Sequence, residues 1–279
     1  MDTPSIKKNF AELGEIEYKL ASSREELKEA MALVYKEYLT RGYILQRYYK
    51  SNLRITPHNV LAGTTTFIAL KEKKVIGAIT LLPDSPLGLP MDEKYKKEVD
   101  KLRRQGRKIC EVGQLATQSD LFGTGLFSMF NFKKLDFVFC LFKLAFQYAL
   151  YSAKFDDICV VVNPKALLFK FIPFEEIGEV KYYGFDRISI KKKPAVAKRL
   201  DLRVIQERAK KYPSLAKVFL GERLPEEIFS RRFCFNKEDL RYFFVEKSDV
   251  FNQMHPEDID FVCGAYGLNK AEFDKLIRK

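Results

Sequence analysis

The chain reads as an α/β protein with a mixed β-sheet, and three observations predict this. Two β-rich runs, residues 64–71 and 74–82, are separated only by Glu72 and Lys73, the spacing of an antiparallel hairpin. The run Asp157-Ile158-Cys159-Val160-Val161-Val162 is continuous and largely β-branched, as in a strand buried on both faces. Around them, strand-like and helix-like segments alternate in the order strand, helix, hairpin, strand, helix, strand, helix, strand.

The first strand is residues 15–20, which alternate in polarity. Ser22-Ser23 then supplies an N-cap, with Glu25 and Glu26 in the first turn, so a helix is predicted to about Arg41, where Gly42 ends it. Leu27, Met31, Val34, Tyr35 and Tyr38 share its apolar face. Residues 43–63 lack a clear period and read as an ordered loop. After the hairpin, Asp84-Ser85-Pro86-Leu87-Gly88-Leu89-Pro90 is an elbow, because two prolines and a glycine cannot continue a strand. A charged surface helix is predicted over 91–105 and a strand over 107–117. Residues 126–154 read as a helix apolar on most of its circumference, carrying Phe127, Phe130, Phe132, Phe137, Phe139, Phe142 and Phe146. Lys133, Lys134, Asp136 and Lys143 interrupt it, so it falls short of the roughly 18 uninterrupted apolar residues of a membrane span. Such a helix is buried core, or some of its rings line a channel. Asn163-Pro164 turns the buried strand into a short helix to about residue 171, and 178–190 holds one or two further strands. Beyond Pro194 the character changes, with helices predicted over 195–212, 214–222, 236–242 and 269–279. The expected division is a sheet domain over 1–200 and a helical extension over 201–279, packed on or beside it.

Composition narrows the chemistry. With 47% hydrophobic residues, 279 residues can bury a substantial core. Five dispersed cysteines without a CxxC pair, and two histidines in all, argue against a zinc site and a Ser-His-Asp triad, and no metal is expected. Dispersed thiols fit a reducing cytoplasm, and the N-terminus has no apolar segment of a secretion signal. The formal charge of +12 points to nucleic acid, to an acidic protein or to an anionic membrane surface. Lys and Arg are spread along the chain among acids, apart from Lys191-Lys192-Lys193, so nucleic acid is disfavoured and an acidic protein fits better.

The residue that stands out is Glu111, an acid inside Ile109-Cys110-Glu111-Val112-Gly113-Gln114-Leu115-Ala116. In a strand-forming run an acid is exposed at an edge, paired, or working in a pocket. Gly113, two residues on, is poor strand material and marks a bulge or a close backbone approach.

Val75 to Tyr95 (VIGAITLLPDSPLGLPMDEKY) followed by CEVGQLAT at 110–117 resembles the core of the long-chain N-acyl amino acid synthases, GNAT-fold acyltransferases related to the autoinducer synthases. Val34-Tyr35-Lys36-Glu37-Tyr38 with Gly42-Tyr43-Ile44, and Val161-Val162-Asn163-Pro164-Lys165, are similar to other parts of that family, so the likeness spans roughly 16–200. It implies a GNAT-like, mostly antiparallel central sheet flanked by helices, and acyl transfer from a phosphopantetheine thioester to the amine of an amino acid or similar acceptor. The group that takes the amine's proton, directly or through a water, is then Glu111, and a backbone N–H at Gln114 or Leu115 faces the developing oxyanion. Gly113, Gln114, Ala116 and Asn163 lie along the thioester arm, and Phe130 and Phe142 border the acyl channel. The place where CoA-dependent relatives cradle pyrophosphate is Ser119-Asp120-Leu121-Phe122-Gly123-Thr124-Gly125. Gly123 and Gly125 are present, but no Arg or Lys is. That favours acyl carrier protein as donor over acyl-CoA, with Arg103, Arg104, Arg107, Lys108 and Lys165 as its docking residues. No permanently bound cofactor is implied; membrane association, if any, is peripheral, through substrate or product. One departure stands: the family turn Asn-Pro-Arg-His with a following aromatic pair is here Asn163-Pro164-Lys165-Ala166, then Phe169-Lys170. The competing expectations are an acyl-CoA-dependent acyltransferase and a non-catalytic, lipid-binding GNAT-like protein.

Overall fold

The computed structural model describes residues 4–10, 13–122, 132–166, 169, 172–183, 193–211 and 219–278. Among these residues nine strands, β1 (Ile6–Phe10), β2 (Gly14–Leu20), β3 (Thr65–Lys71), β4 (Lys74–Pro83), β5 (Ile109–Thr117), β6 (Asp157–Val162), β7 (Glu175–Glu176), β8 (Lys181–Tyr183) and β9 (Lys193–Asp201), form one sheet. Its order is β1-β2-β3-β4-β5-β6-β9-β7, with β8 on the end of β9. Among the described residues only β5 and β6 pair in parallel. The β3–β4 hairpin turns on Glu72 and Lys73, both left-handed at φ 50° and 65°, a tight turn made without glycine.

Helix α1 (Arg24–Thr40) begins as its residues dictate: the Ser23 hydroxyl accepts from the Glu26 N–H at 3.2 Å, and left-handed Gly42 follows its end. It lies across β3, β4 and β5, burying Tyr35 and Tyr38 against Ile68, Ala78 and Ala116. Helix α2 (Asp92–Arg104) covers the same face further along, over Ile109, Cys159 and Ala197. Helix α3 (Phe132–Gln147) crosses the opposite face, where Phe137, Phe142 and Phe146 meet Ile79, Val112 and Val160 in the main core. The window Lys134–Ser152, at a mean hydropathy of 1.2, passes a length-and-composition test for a membrane span; half of it is buried against the sheet.

Beyond β9 come α4 (Ile205–Lys211), α5 (Glu227–Ser230), α6 (Lys237–Arg241), α7 (Pro256–Ala265) and α8 (Lys270–Ile277). Ile205, Phe219, Ile228 and Phe229 join the main core. Phe243, Phe244, Phe251, Val262 and Phe273 build a second core with Leu27 and Met31 of α1 and with Leu53, Ile55, Val60 and Leu61 of the loop before β3. The extension therefore grips that loop.

One expectation is corrected. Residues 195–201 are strand, not helix: Ala195, Ala197 and Lys198 have helix-compatible chemistry, but the outer edge of buried β6 needs a ladder, and β9 supplies six pairs from Asp157↔Asp201 to Val162↔Val196. Strands β1 and β7 and helices α5 and α7 were not foreseen.

Candidate active site

The ladder between β5 and β6 has three pairs only, Ile109↔Asp157, Cys110↔Ile158 and Glu111↔Cys159. Beyond them β5 stays with β4 as far as Gly77↔Thr117, and β6 stays with β9 as far as Val162↔Val196. The two strands thus splay from an apex at Glu111 toward a mouth at Thr117 and Val162. Among the described residues, the edge of β5 that faces this wedge has no strand partner beyond Glu111.

Glu111 is 5% exposed, on the face shared with α2. Its Oε2 accepts from the Met91 N–H, at the N-terminal end of α2, at 2.8 Å. Burial pushes its carboxyl from an ordinary 4.5 up to about 8; the Met91 N–H pulls the other way and the nearby Asp92 adds to the rise. A carboxylate poised near physiological pH is suited to accept and return a proton. Tyr38 of α1 borders the same region: burial pushes its phenol up to about 12, with Arg54 and Arg41 opposing and Glu111 reinforcing.

Gly113 pairs with Thr80, and a Cβ built on it meets nothing within 4 Å. Open space therefore lies beside it, on the side of the strand that Glu111 faces. The bulge comes one residue later than the glycine suggests. Gln114 and Leu115 together face Ile79, between the pairs Thr80↔Gly113 and Ala78↔Ala116, and Gln114 is the left-handed residue at φ 51°. Left-handed backbone costs a non-glycine residue about 1–2 kcal/mol. Something holds it there: the Gln114 Nε2 donates to Asn59 Oδ1 at 3.1 Å, and Asn59 Nδ2 donates back to Gln114 Oε1 at 3.2 Å. Two such bonds contribute about 0.5–1.5 kcal/mol each, the size required to offset the strain.

The other predicted residues divide by place. Leu115 is half-buried and packs against the main core, whereas Ala116, at 1% exposure, is core beneath α1 rather than wedge lining. Phe142 is 2% exposed and packs edge-on against Phe169 and Phe174, so it is core beside the wedge. Gly123, Gly125 and Phe130 lie outside the described residues. Asn163 and Lys165 are exposed just past β6, at the mouth, with Asn163 Oδ1 accepting from the Lys165 N–H at 2.8 Å. Also at the mouth, Glu37 accepts from the Ser119 N–H at 3.1 Å and from Arg41 at 2.9 Å, and Lys193 Nζ donates to the Arg41 carbonyl at 3.3 Å.

Arg103, Arg104, Arg107 and Lys108 sit at the opposite, closed end, ahead of β5, and so do not rim the opening. Arg103 is held by Asp84 at 2.7 Å, Asp92 at 2.6 Å and Asp100 at 2.7 Å. Arg107 contacts fully buried Asp157 and lies 2.7 Å from Asp201, and Arg199 is 2.5 Å from each of those aspartates. Lys108 donates to the Ala153 carbonyl at 2.5 Å. Arg104 is exposed. Sequence reasoning missed Asn59, in an aperiodic loop, and the Met91 N–H, a backbone group no side-chain motif announces. Among the described residues no cluster of potential metal ligands occurs.

A mixed sheet splayed beside a bulged strand, with an acid at the apex, defines a GNAT-like acyltransferase. The family model described as N-acyl amino acid synthase FeeM matches residues 29–201, well over half of the chain, and the chain belongs to that family. Among solved structures it is similar to FeeM, an N-acyl amino acid synthase from uncultured soil microbes, at 25% identity and a TM-score of 0.52, over 67% of this chain and 91% of that one. It is also similar to the AHL synthase LasI, at 15% identity and a TM-score of 0.48, over 80% and 98%. A CoA-dependent acyl-homoserine lactone synthase, BjaI, matches at 10% identity and a TM-score of 0.43, over 70% and 90%. No curated protein matches the chain.

Proposed function

We propose that the protein is a cytoplasmic N-acyltransferase that moves a long-chain acyl group from acyl carrier protein to the amine of an amino acid or a similar small acceptor. The observation that carries this reading is buried Glu111 at the apex of the wedge, with open space beside Gly113. The thioester arm enters from the mouth and lies along the free edge of β5. The acceptor amine approaches on the face of α1 and α2 and attacks the thioester carbonyl. Glu111 takes its proton, and the backbone N–H at Leu115 holds the oxyanion. Collapse expels the thiolate, which recovers the proton from Glu111, leaving an amide and a free phosphopantetheine thiol.

Carrier protein is favoured over CoA because the segment after β5 carries no Arg or Lys from Ser119 to Gly125, and its exposed Asp120 lies 4.0 Å from Lys36. The mouth has Arg41, Lys165 and Lys193 for an acidic partner. The test supplies the same long acyl chain on carrier protein and on CoA, with a mixture of amino acids, and follows amide mass. Amide formed chiefly from the carrier thioester is expected. Preference for CoA overturns the donor assignment, and thioester loss without amide overturns the amine acceptor.

A further inference from the structure

We propose that Asn59 is a positioning residue for acyl transfer: its side-chain amide holds Gln114 in the left-handed conformation and thereby aims the Leu115 N–H into the wedge. This rests on the reading of Leu115 as oxyanion donor. The orientation of the Asn59 amide is fixed by its surroundings. Its Oδ1 accepts from the Thr56 N–H at 2.8 Å and from the Thr56 hydroxyl at 2.8 Å, so the oxygen must face Thr56 and Nδ2 is left for Gln114 Oε1. Asn59 is 2% exposed and Gln114 is half-buried.

The turn that carries Asn59, Pro57–Val60, is held rigidly. Thr64 donates to the His58 carbonyl at 2.7 Å, and Val60 and Leu61 are buried among Phe244, Val250, Phe251 and Leu268. Tyr266, just past α7, donates its hydroxyl to the Val60 carbonyl at 2.7 Å. Phe244, Val250, Phe251, Tyr266 and Leu268 all lie beyond residue 201, where the family match ends. The extension of this chain therefore reaches the bulge through one turn and one amide pair.

Glycine adopts left-handed backbone without strain. At position 114 it makes the amide pair unnecessary, which gives a thermodynamic cycle of Asn59→Ala, Gln114→Gly and the double variant. Asn59→Asp joins the set because it keeps an oxygen for Thr56 and loses the donor to Gln114. Two quantities are measured: kcat and KM with a long-chain acyl carrier protein and an amino-acid mixture, and backbone hydrogen exchange of residues 109–117 in the protein without substrate.

A displaced oxyanion donor costs on the order of 10-fold to 100-fold in rate. Asn59→Ala is expected to lower kcat by that amount, with KM within about two-fold, and to speed exchange across 109–117; Asn59→Asp, which keeps the acceptor for Gln114 Nε2, is expected to fall between Asn59→Ala and the wild type. The double variant is expected to match Gln114→Gly alone, with most of the lost kcat restored. Losses that multiply in the double variant overturn the proposal, as does a rise in KM at constant kcat. Unchanged exchange in Asn59→Ala overturns it whatever the turnover. A wild-type protein that forms no amide refutes the proposed function instead, and exchange then decides the clamp by itself.

Discussion

The Met91 N–H donates to Glu111 Oε2 at 2.8 Å, and this bond joins the elbow after β4 to the apex of the wedge. An N–H at a helix N-terminus favours the carboxylate, and burial favours the carboxylic acid. Burial wins, and the group titrates near 8.

That balance has a sign in stability. Between 4.5 and about 8 folded Glu111 keeps a proton that the unfolded chain has released, so its contribution falls as pH rises through this window and is fully lost above it. The slope reaches at most about 1.4 kcal/mol per pH unit. His58 runs oppositely: burial lowers its imidazole to about 4, so stability is lost as pH falls from 6.5 toward 4. Glu111 is therefore read most cleanly between 6.5 and 8. Denaturant midpoints are expected to fall with pH there in the wild type and to stay nearly flat in Glu111→Gln; parallel curves would contradict the burial of Glu111.

Gly113 provides a steric test. A Cβ there has no described atom within 4 Å, so Gly113→Val is expected to leave the melting temperature within a few degrees while turnover drops by on the order of 10-fold or more, by filling the path of the arm. Thermal melts and steady-state rates separate this from a folding defect. Normal turnover would place the arm elsewhere.

Charge at the two ends of the wedge separates docking from architecture. Lys165→Glu, at the mouth, is expected to raise KM for acyl carrier protein several-fold, with added salt mimicking it, since rim charges are screened within about 8–10 Å. Arg104→Glu, at the closed end, is expected to leave KM unchanged. The reverse pattern, measured across a salt series, would move the dock to the closed end.

Arg107 belongs to the frame. Asp157 is 0% exposed, and removing a partner of a buried charge costs about 3–5 kcal/mol. Arg107→Ala is expected to lose that much by denaturant unfolding, with KM for carrier protein unaltered. A KM effect without destabilisation would restore Arg107 to the docking surface.

Much of this was legible in the sequence because the physics is local. The Ser23 cap, the Glu72-Lys73 turn and the β-branched run at 157–162 each carry their structure in a few adjacent residues. The acid at 111 was legible because a charge in an apolar strand demands an explanation. Strand β9 was not, since its ladder depends on β6 some 36 residues earlier, a pairing that propensity does not see. The bulge was placed at Gly113 by residue type, whereas Gln114 holds it through Asn59, 55 residues away. The basic residues before β5 look like a docking patch in one dimension; in three, Asp84, Asp157 and Asp201 occupy two of them.

The most direct test of Glu111 as the proton-transfer group is the pH dependence of kcat/KM for amide formation from acyl carrier protein. The wild type is expected to rise tenfold per pH unit below an apparent pKa near 8 and then level off, up to the titration of the acceptor amine. Glu111→Gln is expected to be slower by about 10²- to 10⁴-fold, with that inflection gone. An inflection near 8 that survives in Glu111→Gln, at close to wild-type rate, would contradict the assignment.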